Sequence, residues 1–299
     1  MGTMLIAKGL RPGRPPEEWN REHPSIVRDV HSSYLEAGSE VIETNTFGGT
    51  PSRVRGFGLD AAAGELNTAG VELARKAVSE FLSGREWGFD PNAASGSSTR
   101  ERVPIGRRFV AVSLGPTGKM LPPVGNAGEA EIREEFAGQL QGITVEYDLI
   151  VIETMYDVRE AFAALAAAKE LATAPVAVTL TFNKNPRGFF TIMGDEAART
   201  VRRLEDAGAD VVGANCTIAS AEMIELGRIL RGSTGLPVLC QPNAGKPRVE
   251  DGTAVYDQAP GDFARDALLL FEMGINAVGG CCGTTPAFVR EVSVEMSKR

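Results

Sequence analysis

The stretch "DLIVIETMYDVREAFAALAAAKELATAPVAVTLTF", residues 148–182, decides the fold class. It begins and ends with short runs that are rich in β-branched residues, at 148–154 and 174–182. Between these runs, residues 158–173 form an alanine-rich segment with a helical pattern. A strand, a helix and a second strand in this order predict a βαβ unit, in which the two strands pair in parallel.

The same alternation continues outward in both directions. Further strands are predicted at 40–45, 108–114, 209–215, 236–242 and 275–280, and further helices at 24–39 and 195–209. Seven such strands predict an α/β fold, a (β/α)8 barrel of the TIM type for which one strand has not been found. A doubly wound open sheet is the alternative, but no G-x-G-x-x-G motif follows the first strand.

The composition is that of an ordinary globular chain. Of the 299 residues, 43% are hydrophobic and 23% are charged, and the formal net charge of −8 comes with no basic block. This argues against nucleic acid or an anionic membrane as the main partner. No run of about 18 apolar residues predicts a membrane span, and the first residues do not form a secretory signal. Four cysteines are too few for a disulfide scaffold, so we expect a reducing, cytoplasmic compartment.

One long polar stretch interrupts the alternation. Residues 82–107 are rich in Gly, Ser, Pro and Arg. We interpret them as a mobile surface insertion rather than a linker between domains, because strands continue in the same rhythm on both sides. The prediction is therefore a single domain over residues 1–299.

Three cysteines follow directly after two predicted strands. Cys216 comes after 209–215, and the adjacent Cys281 and Cys282 come after 275–280. The carboxyl ends of barrel strands share one face, so the three thiols are expected to meet there. Adjacent cysteines are poor disulfide partners. Three thiolates suit a tetrahedral zinc ion with one position open, as in catalytic sites.

The spacing alone leaves other interpretations open. The cysteines after Gly-Gly can be small packing residues, a redox pair without the usual C-x-x-C spacing, or a zinc scaffold without catalysis. Cys240 lies inside a strand and is expected in the core, and His23 and His31 are expected at the surface or in the core rather than as ligands. If zinc is bound, it can hold an external thiol as a nucleophilic thiolate, and the chemistry that follows is alkyl transfer to sulfur.

Five motifs at strand ends carry a resemblance to a known family. They are "IETNTFGG" (42–49), "SLGPTGK" (113–119), "GANC" (213–216), "QPNAGKP" (241–247) and "GGCCGTTP" (279–286). Together they resemble the homocysteine S-methyltransferase family, most closely the homocysteine-binding module of cobalamin-dependent methionine synthase. The resemblance runs over nearly the whole chain and implies a (β/α)8 barrel in which zinc activates the thiol of homocysteine to give methionine.

The resemblance also implies roles for individual residues. It makes Cys216, Cys281 and Cys282 the zinc ligands, with no catalytic group beyond the zinc site. It assigns Glu153 to the amino group of the substrate, the backbone amides of Gly2 and Thr3 to its carboxylate, and Asn215 and Asn243 to positions near the zinc.

Two features of the family pattern are not found in this sequence. Family members usually open with a strand of the type "ILDGAMGT", whereas this chain begins at "MGT", so we expect the first barrel strand and its acidic residue to be absent. There is also no D-x-H-x-x-G corrinoid signature, so we expect methylcobalamin on a separate protein. The alternative donor is a small sulfonium or ammonium compound such as S-methylmethionine or betaine, but only Phe47 and Tyr156 lie near the strand ends to cage such a cation.

Overall fold

A parallel sheet of seven strands frames the molecule in the computed structural model, which describes residues 1–86, 106–250 and 253–299. The strands of this sheet are β1 (Val41–Glu43), β2 (Phe109–Leu114), β3 (Leu149–Met155), β4 (Val176–Leu180), β7 (Val211–Ala219), β8 (Val238–Asn243) and β11 (Ala277–Val278). They lie in the order in which they occur along the chain, and every neighbouring pair is parallel. The four remaining strands form two small hairpins, β5 (Asn183–Asn185) with β6 (Gly188–Phe190), and β9 (Arg248–Glu250) with β10 (Thr253–Val255).

Helices connect the strands and cover the outer face of the sheet. Before β2 they are α1 (Gly2–Ala7), α2 (Trp19–Glu22), α3 (Pro24–Ala37), α4 (Pro51–Arg55) and α5 (Ala63–Glu86). After β2 they are α6 (Glu129–Gln141), α7 (Val158–Leu171), α8 (Ala197–Asp206), α9 (Ser220–Arg231), α10 (Pro260–Glu272) and α11 (Pro286–Ser297). Within the described residues, no helix combines the length and apolar character needed to cross a membrane.

The sheet is curled rather than flat. Gln241 on β8 donates a hydrogen bond from Nε2 to Glu43 Oε1 on β1, at 2.7 Å. These strands are five places apart in the sheet, which would separate them by about 24 Å if it were flat. The uninterrupted strand order also lacks the reversal of a doubly wound sheet. The prediction of a TIM-type barrel is therefore confirmed, and the open-sheet alternative is wrong.

The predicted elements correspond closely to the observed ones. All seven predicted strands are present, but the last is shorter, since 275–280 contains only the two-residue β11 before its glycines. The run predicted at 209–215 continues as β7 to Ala219. Both small hairpins were missed. The first residues of the predicted insertion at 82–107 belong to α5, which continues to Glu86, and residues 87–105 lie outside the described residues.

The alternation of side chains along each strand separates two apolar layers. Large residues such as Val110, Ile150 and Val178 face the helices in the main core. Their neighbours along the strands, Ala111 and Val151 among them, face the inside of the barrel. This inner layer fills the bottom of the barrel and leaves its carboxyl end to polar groups.

The described sheet ends at β1 on one side and at β11 on the other. Residues 1–23 contribute helices and turns but no strand, as the sequence predicted. Between these two edge strands the sheet is open. On the outer side of this gap, Tyr34 Oη on α3 donates to the carbonyl oxygen of Thr284 at 2.7 Å. Glu43 and Gln241 join the two sides on the inside. Side chains thus hold together the two edges that no backbone ladder connects.

Candidate functional site

Polar side chains form a buried layer inside the barrel, at the carboxyl ends of consecutive strands. Ser113 Oγ donates to Glu153 Oε1 at 2.6 Å, and Asn215 Nδ2 donates to Glu153 Oε2 at 3.3 Å. Thr179 Oγ1 in turn donates to Asn215 Oδ1 at 2.8 Å. All four residues are buried. Hydrogen bonds from three strands therefore fix the Glu153 carboxylate, directly or through a neighbour, at one position in the barrel.

Glu153 lies in surroundings that are short of positive charge. Its pKa is raised to about 8, chiefly by burial and then by the negative charge of Glu43. The hydrogen bond from Ser113 and the positive charge of the Met1 amino group lower the pKa but do not offset the burial. A cation that entered this end of the barrel would stabilise the ionised carboxylate.

The three predicted ligands Cys216, Cys281 and Cys282 come together, and we call them the sulfur cluster. Their Sγ atoms all lie within 4.8 Å of one another, and the Sγ atoms of Cys216 and Cys282 are 3.8 Å apart. A tetrahedral zinc ion with Zn–S bonds of about 2.3 Å separates its sulfurs by about 3.8 Å. The donor set and its spacing fit a zinc ion.

Backbone strain is concentrated beside these functional groups. Among the described residues, the non-glycine positions with positive φ are Thr154 (61°), Cys216 (60°) and Thr217 (65°). The register of β3 against β4 shifts next to Thr154, and that of β7 against β8 shifts after Asn215. Such conformations cost on the order of 1–3 kcal/mol each and tend to occur at functional sites. Both irregularities thus adjoin residues of the site, Glu153 and Cys216.

The turn that carries the other two cysteines is held by the end of β8 and by the side chain of Thr284. The Cys281 N–H donates to the Pro242 carbonyl at 2.8 Å, and the Cys282 N–H donates to Asn243 Oδ1 at 3.1 Å. Thr284 Oγ1 closes the turn on the carbonyl of Cys281 at 2.6 Å. The predicted site residue Asn243 therefore lies beside the cluster and contacts the backbone of Cys282.

Hydrogen bonds within the cluster separate the acidities of its thiols. Those from Cys216 and then Cys281 hold the pKa of Cys282 well below its ordinary value. The pKa of Cys281 lies well above its ordinary value, because of its hydrogen bonds with Cys216 and Cys282. Cys282 is therefore the most acidic of the three thiols. A metal cation binds thiolates, so its binding to these cysteines would release protons.

Asn215 connects the sulfur cluster with the carboxylate. Its Nδ2 lies 3.8 Å from Cys281 Sγ and donates to Thr154 Oγ1 at 2.7 Å. Its Oδ1 accepts the backbone N–H of Thr154 at 2.8 Å. This predicted site residue therefore contacts both the thiols and the surroundings of Glu153.

Gly2 and Thr3, predicted to receive a carboxylate, are the first residues of α1. The N–H groups of a first helical turn have no partner inside the helix and are suited to anions. The positive charge of the Met1 amino group lowers the pKa of both Glu153 and Cys282. The start of α1 therefore lies at the same end of the barrel as the predicted site.

The remaining cysteine and the histidines lie outside the cluster. Cys240 is fully buried in the main core, where burial raises its pKa to about 12. His31 is buried, which lowers its pKa to about 3, and the ring of His23 contacts Trp19 edge-on at a centroid distance of 4.5 Å. Within the described residues, the three cysteines are the one group of three or more His, Cys, Asp or Glu ligands close enough to share an ion.

Two neighbours of the site were missed from the sequence, Tyr256 and Glu43. Tyr256 packs on the cysteine turn, since a Cβ on Gly283 would lie 2.3 Å from Tyr256 Cγ. Burial, and then the charge of Cys282, raises the pKa of Tyr256. No motif includes Tyr256, and Glu43 was quoted within a strand motif without a role. Contacts that form only in the folded barrel identify them: the hydrogen bond of Glu43 with Gln241, and the packing of Tyr256 on Gly283.

The two aromatic residues predicted near the strand ends already have partners. The Arg53 guanidinium lies over the ring of Phe47, 5.6 Å from its centroid. Tyr156 Oη donates to Met120 Sδ at 3.4 Å. One face of the Phe47 ring is therefore already covered by Arg53 and cannot bind a ligand cation.

Two curated proteins that share one name are similar to this chain. Methionine synthase from Mycobacterium tuberculosis is 32% identical over 289 residues, and that from Mycobacterium leprae is 30% identical over 290 residues. Both alignments cover 93% of this chain but 22% of the relative. The chain thus spans about a fifth of the length of these relatives.

Solved structures agree with the fold. The metallated homocysteine methyltransferase MmuM from Escherichia coli superposes with a TM-score of 0.77 at 24% identity, over 99% of this chain and 93% of that one. Its apo form gives a TM-score of 0.72 at 23% identity. At this identity the likeness establishes the shared barrel.

The family model of homocysteine S-methyltransferases matches residues 1–296, which is nearly the whole sequence. The match includes the strands and turns that carry Glu153 and the sulfur cluster. This chain belongs to the homocysteine S-methyltransferase family.

Proposed function

We propose that this chain transfers a methyl group to the sulfur of homocysteine, with methionine as the product. One observation carries the proposal: three sulfur ligands and a buried carboxylate lie at the same end of one barrel. A site that only stores metal needs the sulfurs but not the carboxylate. A thiol substrate with an amino group needs both.

The sulfur cluster is the proposed zinc site. Three protein ligands leave one tetrahedral position free for a sulfur from outside. When bound, zinc would supply the positive charge that keeps the homocysteine sulfur as a thiolate at neutral pH. The distance of 3.8 Å between the Sγ atoms of Cys216 and Cys282 supports this assignment, since it equals the separation of two sulfurs on a tetrahedral zinc ion.

The remaining residues orient the substrate. Glu153 is proposed to bind the ammonium group, whose positive charge would stabilise its buried carboxylate. The first N–H groups of α1, at Gly2 and Thr3, are proposed to receive the carboxylate. Asn215 lies against Cys281 Sγ, and Asn243 accepts the N–H of Cys282, so both help to position the sulfur ligands. Substrate held at both ends would present its sulfur in a fixed direction.

The proposed methyl donor is a methylcorrinoid carried by a separate protein. The relatives named methionine synthase are much longer than this chain, so they contain further domains beside their counterpart of this barrel. The most exposed large apolar side chains of the described residues are Val124 (62%), Ile192 (75%) and Val249 (78%). All three lie in segments that follow the carboxyl ends of β2, β4 and β8, which is where a carrier would approach.

A small sulfonium or ammonium donor, such as S-methylmethionine or betaine, is the second candidate. The likeness to the MmuM barrel shows the shared fold and does not identify a donor. An aromatic cage for such a cation needs free ring faces. Phe47 already stacks with Arg53, which favours the corrinoid. The cytoplasm is the proposed compartment, because a thiol cluster needs reducing conditions to bind metal.

The test is to supply the zinc-loaded protein and homocysteine with methylcobalamin, S-methylmethionine or betaine, and to measure methionine by mass spectrometry. We expect turnover with methylcobalamin to exceed that with either small donor at equal concentrations. The Cys282→Ser protein serves as the inactive control. Faster turnover with S-methylmethionine would replace the donor and retain the enzyme, whereas no methionine with any donor would leave a non-catalytic zinc-binding scaffold.

A further inference from the structure

Gln241 has a buried oxygen without a partner inside the barrel. The residue is 8% exposed, its Nε2 donates to Glu43 Oε1, and its Oε1 is inaccessible to solvent and accepts no hydrogen bond. Buried polar atoms are nearly always satisfied, so an unpaired one calls for a partner such as a water, an ion or a ligand group. A donor from outside the chain would satisfy it.

The neighbours of this oxygen are acidic. Glu43 is half-buried on β1, and its negative charge raises the pKa of Glu153 and also that of Tyr34, although burial is the larger cause for both. No lysine or arginine ion pair among the described residues involves Glu43 or Glu153. Two carboxylates thus lie near an unpaired amide oxygen without a cationic side chain between them. We call Glu43, Glu153 and Gln241 the carboxylate pocket.

Gln241 can lie inside the barrel because of the glycine on the next strand end. A Cβ on Gly279 would come within 3.1 Å of Gln241 Cγ and 3.3 Å of its Nε2. The absence of a side chain at Gly279 leaves room for the amide. The pocket is therefore specified by residues of four strand ends rather than by one motif.

We propose that Glu43 and Gln241 bind the α-ammonium group of an amino-acid thiol together with Glu153. An ammonium group has three N–H donors, and the pocket offers three acceptor groups: the carboxylates of Glu43 and Glu153 and the amide Oε1 of Gln241. The inference rests on the proposed function and adds the basis of its selectivity. The pocket distinguishes homocysteine from a thiol of the same length without an amino group.

The experiment compares two thiols by titration calorimetry on zinc-loaded protein. Homocysteine carries the ammonium group, and 4-mercaptobutyrate is the same chain without it. Three variants are compared with the wild type: Glu43→Gln, Gln241→Met, and Glu36→Gln as the matched control. Glu36 is exposed on α3, so its replacement removes the same charge outside the barrel. Zinc content and thermal unfolding are measured for each protein.

We expect the wild type to bind homocysteine more tightly than 4-mercaptobutyrate. Glu43→Gln should reduce this preference about 10- to 100-fold, because it removes a charge-assisted hydrogen bond, and Gln241→Met should reduce it about 2- to 10-fold. Affinity for 4-mercaptobutyrate and the behaviour of Glu36→Gln should not change. If Glu43→Gln does not fold, the Gln241→Met result decides the question.

Two outcomes would overturn the inference alone: an unchanged preference in both pocket variants, or an equal loss of affinity for the two thiols. The second would mean that these residues only support the fold. Failure of the wild type to bind either thiol would overturn the proposed function, and the ammonium site with it. The two failures are thus distinguishable.

Discussion

The sulfur cluster and the carboxylate pocket lie at the same end of the barrel, yet they are held in different ways. The cluster depends on backbone geometry: positive φ at Cys216, and a turn in which the N–H groups of Cys281 and Cys282 have fixed acceptors. The pocket depends on side chains from β1, β3 and β8, of which Glu43 and Gln241 meet only because the sheet curls. We therefore expect the cluster to respond to changes in its ligands, and the pocket to changes in charge and pH.

The largest expected effect is on metal binding by the cluster. Cys216→Ser, Cys281→Ser or Cys282→Ser should each remove most of the bound zinc, because a hydroxyl is a far weaker zinc ligand than a thiolate. Cys240→Ser is the matched control and should keep its zinc, since this thiol lies in the core. Metal analysis of the four purified proteins is the measurement. Full zinc in Cys282→Ser would remove this residue from the ligand set.

The next effect concerns the pH dependence of stability, which should arise from the pocket. The pKa of Glu153 is raised from 4.5 to about 8 in the folded protein. Its neutral form therefore stabilises the fold fully below pH 4.5, and this contribution is lost as the pH rises to about 8. Relative to Glu153→Gln, the free energy of unfolding of the zinc-free wild type should fall by about 1.4 kcal/mol per pH unit in this window.

Denaturant unfolding of both zinc-free proteins at several pH values measures this difference. The titration of the thiols is common to both and cancels. If the free energy of unfolding has the same pH dependence in the wild type and in Glu153→Gln, the carboxyl group of Glu153 has an ordinary pKa. The expectation that the pocket responds to pH would then be wrong.

The sequence identified one half of the site far better than the other, and the reason is physical. Cysteine is rare in this chain and three of its four members follow predicted strand ends, so topology alone predicted that Cys216 and the 281–282 pair would meet. Glu43 lies in a strand motif as an ordinary acidic residue. Its importance comes from its negative charge near Glu153 and from a hydrogen bond across the barrel, which depends on the curl of the whole sheet.

The fold likewise has features that the local sequence predicts and features that depend on contacts in the folded chain. The strands and their order could be predicted, because β-branched runs alternating with helices impose parallel neighbours. The bulges at Thr154 and after Asn215 could not, since they are set by contacts between strands rather than by local sequence. Nor did the pattern predict the β5–β6 and β9–β10 hairpins, whose strands are three residues each.

A smaller effect is expected for substrate binding by the pocket. Glu153→Gln keeps the shape of the side chain and removes its charge. The affinity for homocysteine should fall about 10- to 100-fold, as expected for the loss of a charge-assisted hydrogen bond. Zinc should stay bound. Calorimetric titration of the zinc-loaded variant provides the test, and an unchanged affinity would assign Glu153 to the support of the barrel alone.

The smallest effect is expected for Asn243, which touches the cluster only through a backbone bond. Its Oδ1 accepts the N–H of Cys282 at 3.1 Å and so fixes the turn rather than a sulfur. Groups that orient metal ligands typically contribute about 10- to 100-fold in affinity. We expect Asn243→Ala to weaken zinc binding about 10-fold, at the low end of that range, because Cys281 keeps its own bond to the Pro242 carbonyl. Asn243→Asp, which retains the acceptor oxygen, should lose less. Competition with a chelating indicator measures the zinc affinity of both variants.

The preference for homocysteine over 4-mercaptobutyrate should be the same in both variants and the wild type, because the carboxylate pocket does not include Asn243. A changed preference would mean that a change in the cysteine turn alters the carboxylate pocket, so that the two halves of the site are structurally coupled.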